Sequence, residues 1–352
     1  METISVHASR DYEVRIGSGL LTRTGELSAP LIKGRHAMIV SDSNVWPLYG
    51  SMVQASLEDA GFQVDHFIFP AGEQSKNTDT LVQLLTCLAQ KGMTRSDGVF
   101  ALGGGVTGDM AGFAAAVYLR GIRYVQLPTT LLAAVDSSVG GKTAVDLTAG
   151  KNLAGAFCQP AAVICDTDCL KTLPPDVFAD GAAEIIKYGM IRSQELINFL
   201  LENTPGTDIE WVIAHCVSIK RDVVAQDEQD NAVRQVLNFG HTIGHAIERC
   251  GGYSIYHGEG VAMGMAIMTR ACVRQKKCPP ACWTVLETLL DKYHLPKTTD
   301  KSIDELLEAA HADKKRRGDA ITLIQPEVLG NCVLYPTNYD ELRRVLELGM
   351  PL

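Results

Sequence analysis

Three residues in the carboxy-terminal half of the sequence have the chemistry of a metal centre. They are Glu184 in Gly181-Ala182-Ala183-Glu184, His241 in Asn238-Phe239-Gly240-His241, and His257 in His257-Gly258-Glu259. Two imidazoles and a carboxylate suit zinc or cobalt and leave coordination positions open for substrate oxygens. Glu184 lies in an otherwise apolar helical stretch, where an unpaired carboxylate is costly, so something must compensate it. His241 and His245 stand one helical turn apart, which also admits both on a single ion, as in H-E-x-x-H helices. The glutamate of that motif is missing, and His245 is read instead as a hydrogen-bonding or proton-handling group. Lys187, Lys220 and Arg234 are the basic residues near these positions and suit a phosphate and a carboxylate; Arg234 is expected two turns before His241 on the same helical face.

A second group of residues has the chemistry of nucleotide binding. The apolar run Gly98 to Leu102 leads into Gly103-Gly104-Gly105-Val106-Thr107-Gly108-Asp109 and then a helical pattern, Met110 to Leu119. Gly103, Gly105 and Gly108 satisfy G-x-G-x-x-G between a strand and a helix, where backbone amides and a helix N-terminus can approach a pyrophosphate. The acid that ordinarily follows ~20 residues later, for the ribose, is replaced by Arg123-Tyr124-Val125-Gln126. Asp42, at the end of the first core strand and followed by Asn44, is the substitute candidate. Gly141-Lys142-Thr143 resembles the end of a P-loop, but Asp136 stands where that motif needs glycine. The stretch from Asp136 through Lys142 to Gly150-Lys151-Asn152 is therefore read as a flexible ligand-binding loop.

These residues need elements to position them. Up to about residue 170, short β-branched runs alternate with helical patterns, as in stacked βα units around a mainly parallel sheet. Strands are expected at 36–41, 62–69, 98–102, 122–127 and 161–165, with an added hairpin at 4–7 and 12–16 and a helix at 78–90. After Leu173-Pro174-Pro175 the texture changes to period 3.6 over 176–191, 208–228, 234–250, 258–276 and 302–315, with a small hairpin at 319–335 and a closing helix at 338–348. The fold class is thus an α/β amino-terminal domain, Rossmann-like with a mainly parallel sheet, over 1–172, and an all-α metal- and substrate-binding domain over 173–352. A length of 352 residues and 46% apolar content support a core in each. A net charge of −9 argues against nucleic acid or anionic membrane as a partner, and the sequence has neither an export signal nor an apolar run of membrane-spanning length. A cytoplasmic protein with a small-molecule substrate is expected. Its ten cysteines then read as reduced, buried thiols; Cys165 and Cys169, and Cys278 and Cys282, are four apart, and no paired C-x-x-C knuckles offer a zinc site.

Further motifs, in order along the chain, are Ala71-Gly72-Glu73-Gln74-Ser75-Lys76, the glycine loop with Arg120-Gly121, Pro128-Thr129-Thr130, Asp136 to Lys142, Gly150-Lys151-Asn152, Glu184-Ile185-Ile186-Lys187 and Asn238 to His245. With these the chain resembles the 3-dehydroquinate synthase family of the sugar phosphate cyclase superfamily over nearly its whole length. The resemblance implies NAD on Ala71, Gly72, Glu73, Gln74, Ser75, Lys76, Gly105, Val106, Thr107, Gly108, Asp109, Thr129, Thr130, Lys142, Lys151, Cys169, Leu170, Lys171 and Thr172. It implies one zinc or cobalt ion on Glu184, His241 and His257. It lines the substrate site with Arg120, Asp136, Lys142, Asn152, Lys187, Lys220, Arg234, Asn238, His245 and one of Lys314 or Lys315. Asp230 departs from the glutamate usual in the family.

The implied reaction converts 3-deoxy-D-arabino-heptulosonate 7-phosphate into 3-dehydroquinate and phosphate, in the shikimate route to aromatic amino acids. Transient oxidation by NAD acidifies a carbon proton, phosphate leaves, the ketone is reduced again, the ring opens and an aldol step closes the carbocycle. A homodimer is implied by the resemblance alone. Three rivals stand beside this reading. One is a cyclase for sedoheptulose 7-phosphate or glucose 6-phosphate, against which Arg234 and Asn152 favour a carboxylated substrate. Another is a metal-dependent polyol dehydrogenase that releases NADH. The third is a catalytically dead NAD-binding regulator, although every candidate ligand remains chemically competent.

Overall fold

The computed structural model describes residues 1–252, 254–312 and 320–351. Its elements divide between two units, Met1–Leu173 with Ile209–Glu228, and Pro174–Asp208 with Gln229–Leu352. In the first unit the chain runs β1 (Glu2–Val6), β2 (Tyr12–Gly17), α1 (Thr24–Ser28), β3 (His36–Asp42), α2 (Ser51–Asp59), β4 (Gln63–Phe69) and α3 (Thr78–Gln90). It continues through β5 (Gly98–Gly103), α4 (Gly105–Val117), β6 (Arg123–Pro128), β7 (Lys142–Leu147), β8 (Gly150–Phe157) and β9 (Ala162–Asp166). Among the described residues the main sheet has the order β1-β2-β9-β6-β5-β3-β4. All neighbours are parallel except the β1/β2 hairpin, which joins through β2 alongside β9.

Burial on both faces explains the unbroken apolar runs of these strands. Ile39, Phe100, Leu102, Val125 and Ile164 face one core with Val53 and Leu57 of α2, while Met38, Val40, Val99, Ala101 and Tyr124 face the other with Leu84 of α3 and Met110 of α4. Successive side chains of β3 and β5 thus alternate between two hydrophobic layers. From β3 the chain moves outward to β4, then returns to β5 and proceeds the other way to β6 and β9. The order therefore reverses between β3 and β5, the position where open α/β sheets bind ligands at the carboxyl ends of their strands.

The stretch expected as a flexible loop is ordered: β7 and β8 form an antiparallel hairpin that packs on α4 and α3. A Cβ on Gly112 of α4 would collide with Thr143, so glycine there is what admits the hairpin.

The second unit begins with α5 (Pro175–Arg192) and α6 (Gln194–Glu202). The next helix, α7 (Ile209–Gln226), belongs to the first unit, which corrects the expected assignment of all of 173–352 to one domain. Its buried face, including Val212, Ile213, Cys216 and Val217, packs on β1 and β2, and Glu228 just beyond it accepts hydrogen bonds from Ser9 and Gln159. The second unit resumes with α8 (His241–Cys250), α9 (His257–Arg274), α10 (Pro280–Lys292), α11 (Ile303–Ala312), the antiparallel hairpin β10 (Ala320–Val328) and β11 (Asn331–Asn338), and α12 (Tyr339–Gly349).

Residues 181–191 of α5 are buried all round, as in a central helix. The expected helix over 234–250 is broken. Val233–Asn238 form a tight 3₁₀ segment, and Gly240 adopts φ 81°, a left-handed conformation that glycine takes without steric cost. Arg234 and His241 therefore do not share a helical face. Among the described residues, no helix is long and apolar enough to cross a membrane.

Candidate functional site

The candidate residues of the second unit gather where three helices place their ends or middles. Glu184 comes from the buried centre of α5, His241 is the first residue of α8 and His257 the first of α9. Glycine lets α8 and α9 approach closely: a Cβ on Gly244 would lie 2.7 Å from the Gly260 carbonyl oxygen, and one on Gly264 would strike the carbonyl of Gly240. The start of α9 is pinned as well. The Gly258 amide donates to Asp180 of α5, the Tyr256 amide donates to Glu259 at 3.0 Å, and the Tyr256 hydroxyl donates to Asp176 at 2.9 Å.

Both imidazoles present Nε2 to the same carboxylate oxygen, Glu184 Oε1, at 3.5 Å each. Their other nitrogens fix the tautomers. His241 Nδ1 lies 3.1 Å from the Phe239 carbonyl oxygen, and His257 Nδ1 lies 2.9 Å from Glu248 Oε1. Each partner only accepts, so each Nδ1 donates, and the His241 Nε2 lone pair is turned toward a carboxylate. Acceptor facing acceptor is repulsive unless a cation sits between them. A tetrahedral ion with bonds of ~2.1 Å separates its ligand atoms by ~3.4 Å, close to the spacing here. Neither Glu184 oxygen makes a regular hydrogen bond, although Lys187 lies in ionic contact with Oε2. The donor set fits a divalent ion, and Glu248 holds His257 as an outer carboxylate orients a metal-bound histidine.

Electrostatics point the same way. Burial, then the charge of Lys187 and the neighbouring histidines, holds His241 well below the usual imidazole range. For His257 burial also favours the neutral form, but the carboxylates of Glu184 and Glu248 override it and lift the group to about 10. The site therefore favours positive charge between these groups. His245 is near enough to join them: nitrogens of His241, His245 and His257 lie within 4.8 Å of one another. Arg234, buried, and Asn238 occupy the 3₁₀ segment before α8.

In the first unit, the nucleotide candidates lie on loops that leave the carboxyl ends of parallel strands. Asp42 ends β3, Ala71–Lys76 follow β4, the glycine loop follows β5, Thr129 and Thr130 follow β6, and Cys169–Thr172 follow β9. Asp42 Oδ1 accepts the Asn44 and Val45 amides, and its Oδ2 lies 3.5 Å from Thr107 Oγ1, so Asp42 and the glycine turn flank the reversal in strand order. The Thr129 amide donates to Gly103 O at 3.0 Å, and Tyr49 bonds the segment holding Cys169, Leu170, Lys171 and Thr172. Lys76 is buried among Glu73 Oε1 at 3.1 Å, Asp109 Oδ2 at 3.3 Å and Asp146 Oδ1 at 4.0 Å. Burial alone would lower its pKa, but these three carboxylates raise it, while burial pushes Asp109 up to about 6. Lys151 approaches Glu73 at 3.7 Å.

Lys220 donates to the Asp136 carbonyl oxygen at 2.8 Å and pairs with its carboxylate. Lys142 opens β7, and Asn152 sits in β8 at φ 55° with its amide donating to Asp146 at 2.7 Å. Arg120 is not brought to these loops. It lies beyond the far end of α4, before the amino end of β6, about one strand length of ~20 Å from Thr129. Lys314 and Lys315 lie outside the described residues.

Two sequence families match this chain: "3-dehydroquinate synthase N-terminal" over residues 66–180 and "3-dehydroquinate synthase C-terminal" over residues 181–316. A 3-dehydroquinate synthase of Enterococcus faecalis (strain ATCC 47077 / OG1RF) is 44% identical over 350 residues, which span 98% of this chain and 97% of that protein. The chain belongs to the 3-dehydroquinate synthase family. A second relative, from Streptococcus suis (strain 05ZYH33), is 43% identical over 344 residues, 96% of this chain and 97% of its own. Among solved structures, a 2-deoxy-scyllo-inosose synthase crystallised with carbaglucose-6-phosphate, NAD+ and Co2+ has a TM-score of 0.88 at 28% identity, covering 99% of this chain and 100% of that one.

Three polar groups at these clusters escaped sequence reasoning. Glu248 had a signal, since it lies seven residues after His241 and three after His245, on their face of α8. Asp146 and Asp180 had none, because their partners come from distant segments.

Proposed function

We propose that this chain converts 3-deoxy-D-arabino-heptulosonate 7-phosphate into 3-dehydroquinate and phosphate, as its family does, with one zinc or cobalt ion on Glu184, His241 and His257 and NAD on the first unit. The observation that carries the metal assignment is the pair of Nε2 atoms 3.5 Å from one Glu184 oxygen. When bound, the cation supplies a Lewis acid for a substrate hydroxyl and NAD a hydride acceptor that is regenerated within each turnover. Glu248 and the Phe239 carbonyl hold the imidazoles in the ligating tautomer. Lys187 tempers the charge of Glu184 and offers an ammonium to substrate oxygens. Arg234, permanently charged and forked, suits the substrate's carboxylate or phosphate, with Asn238 on the same short segment. His245 moves protons at the edge of the cluster.

In the first unit, amides of Gly105–Asp109 at the start of α4 suit the pyrophosphate, and Asp42 a ribose hydroxyl. The 71–76 loop is held for cofactor binding by Lys76, with Thr129, Thr130, Lys151 and Cys169–Thr172 on the neighbouring strand ends. Lys220, oriented by Asp136, and Lys142 and Asn152 on the β7/β8 hairpin provide polar groups for the substrate. Arg120 is left without a role here.

Supplied with the heptulosonate phosphate, zinc and catalytic NAD, the protein should release phosphate and 3-dehydroquinate in equal amounts without accumulating NADH. Stoichiometric NADH, or equal turnover of glucose 6-phosphate or sedoheptulose 7-phosphate, would contradict the reading. The same reading includes a homodimer in the cytoplasm; a monomer mass in solution by light scattering would remove the first part.

A further inference from the structure

The β7/β8 ladder is interrupted at one point. Val145 pairs with Ala154 and Leu147 with Gly150, so Asp146 of β7 faces Lys151, Asn152 and Leu153 of β8. Extra residues on one strand make a bulge, a device that re-aims side chains and is common beside active sites. Asp146 serves both sides of it. Its amide donates to the Lys76 carbonyl oxygen at 2.8 Å, and its backbone forms a parallel bridge with Asn77. Its side-chain Oδ1 accepts the Asn152 amide at 2.7 Å and stands 4.0 Å from the Lys76 ammonium. Asn152 is exposed and adopts φ 55°, a left-handed conformation that non-glycine residues rarely take and that the Asp146 oxygen holds in place.

One residue thus joins the loop assigned to NAD to the strand that carries Asn152, assigned to the substrate. We propose that Asp146 is a positioning residue that couples the two ligands, a role that rests on the NAD and substrate sites of the proposed reaction. Cofactor on the 71–76 loop fixes Asp146 through Lys76 and Asn77, and Asp146 in turn fixes Asn152 for the substrate. Both ends of the link are anchored. On the loop side, Asn77 caps α3 by accepting the Thr80 amide at 2.9 Å, and Lys76 also pairs with Glu73 and Asp109. On the hairpin side, Lys151, the neighbour of Asn152 in the bulge, approaches Glu73 of the same loop at 3.7 Å. The Asp146 carboxylate has two separable parts. The Asn152 amide needs only an acceptor oxygen, while its charge serves Lys76, which keeps two other acids. Asparagine at this position retains the acceptor, and alanine loses both.

The test compares the zinc-loaded full chain as wild type, D146N and D146A. At saturating NAD, D146A should raise the KM for the heptulosonate phosphate about tenfold while kcat stays within about threefold, since what is lost is the placement of a binding group. D146N should bring KM back to within about twofold of wild type. Hydrogen exchange reads the link itself: NAD alone should slow exchange of the Asn152 amide about tenfold in wild type and leave it unchanged in D146A at saturating NAD. The proposal is overturned if D146A keeps the wild-type KM, if D146N fares no better than D146A, or if NAD slows the Asn152 amide equally in both. Should D146A fail to fold, a wild-type Asn152 amide that is indifferent to NAD overturns it alone. A wild type that does not turn over the heptulosonate phosphate refutes the proposed substrate instead, and the exchange measurement still decides the coupling.

Discussion

Two buried charge clusters, one in each unit, are built with opposite signs. In the first, the buried ammonium of Lys76 stands among the carboxylates of Glu73, Asp109 and Asp146; in the second, the buried carboxylate of Glu184 stands among Lys187 and the Nε2 atoms of His241 and His257. The chain completes the first by itself, since the three acids keep Lys76 charged despite burial. It does not complete the second, because His241 is held neutral and turns a lone pair on the acid it faces. A cluster closed by its own ammonium is structural support for a loop, whereas an imidazole lone pair turned on a carboxylate is an arrangement that a cation would complete.

Removing the central group of each cluster should separate these roles. E184Q is expected to lower cation affinity and phosphate release by about 10³-fold or more, read by metal content after dialysis and by turnover. A loss below tenfold would break the contrast. K76M leaves three acids facing one another and should cost about 3 kcal/mol of unfolding free energy in urea, with the metal content intact; a coincident loss of metal would mean the clusters are not independent. H245A should slow turnover about 10²-fold while metal stays bound. If metal is lost instead, His245 belongs among the ligands.

Smaller effects sharpen the picture. E248Q removes the acid that orients His257 and should weaken cation binding about 10-fold by competition with a chelator; an unchanged affinity would deny Glu248 that part. Asp109 supplies a pH test. Its carboxyl moves from the ordinary 3.8 to about 6 in the folded protein, so the native state holds the proton that the unfolded chain has released. Stability should therefore fall as pH rises through that window, and D109N should flatten this step in urea titrations. An identical slope in the variant would contradict the shift.

How much of this was legible in the sequence depended on the range of the interaction involved. The strands of the main sheet show as apolar runs because both faces are buried, and the glycine turn after β5 is a local motif. The three candidate metal ligands also stood out, since a glutamate in an apolar helix and two histidines beside glycines are unusual on their own. The β7/β8 hairpin was hidden because Gly140, Gly141 and Gly150 read as loop, and only its packing on α4 orders it. Periodicity identified α7 but not what it packs against. The break at Gly240 was masked by apolar spacing that runs on through 234–250. Asp146, paired with Lys76 from 70 residues away, has no local signature at all.

The central claim is most directly tested by anomalous diffraction at the zinc edge from crystals of the zinc-loaded protein. A single peak bonded to Nε2 of His241, Nε2 of His257 and a Glu184 oxygen at about 2.0–2.2 Å is the predicted result. Zinc located elsewhere, with Glu184 bound only to Lys187 and protonated histidines, would contradict it.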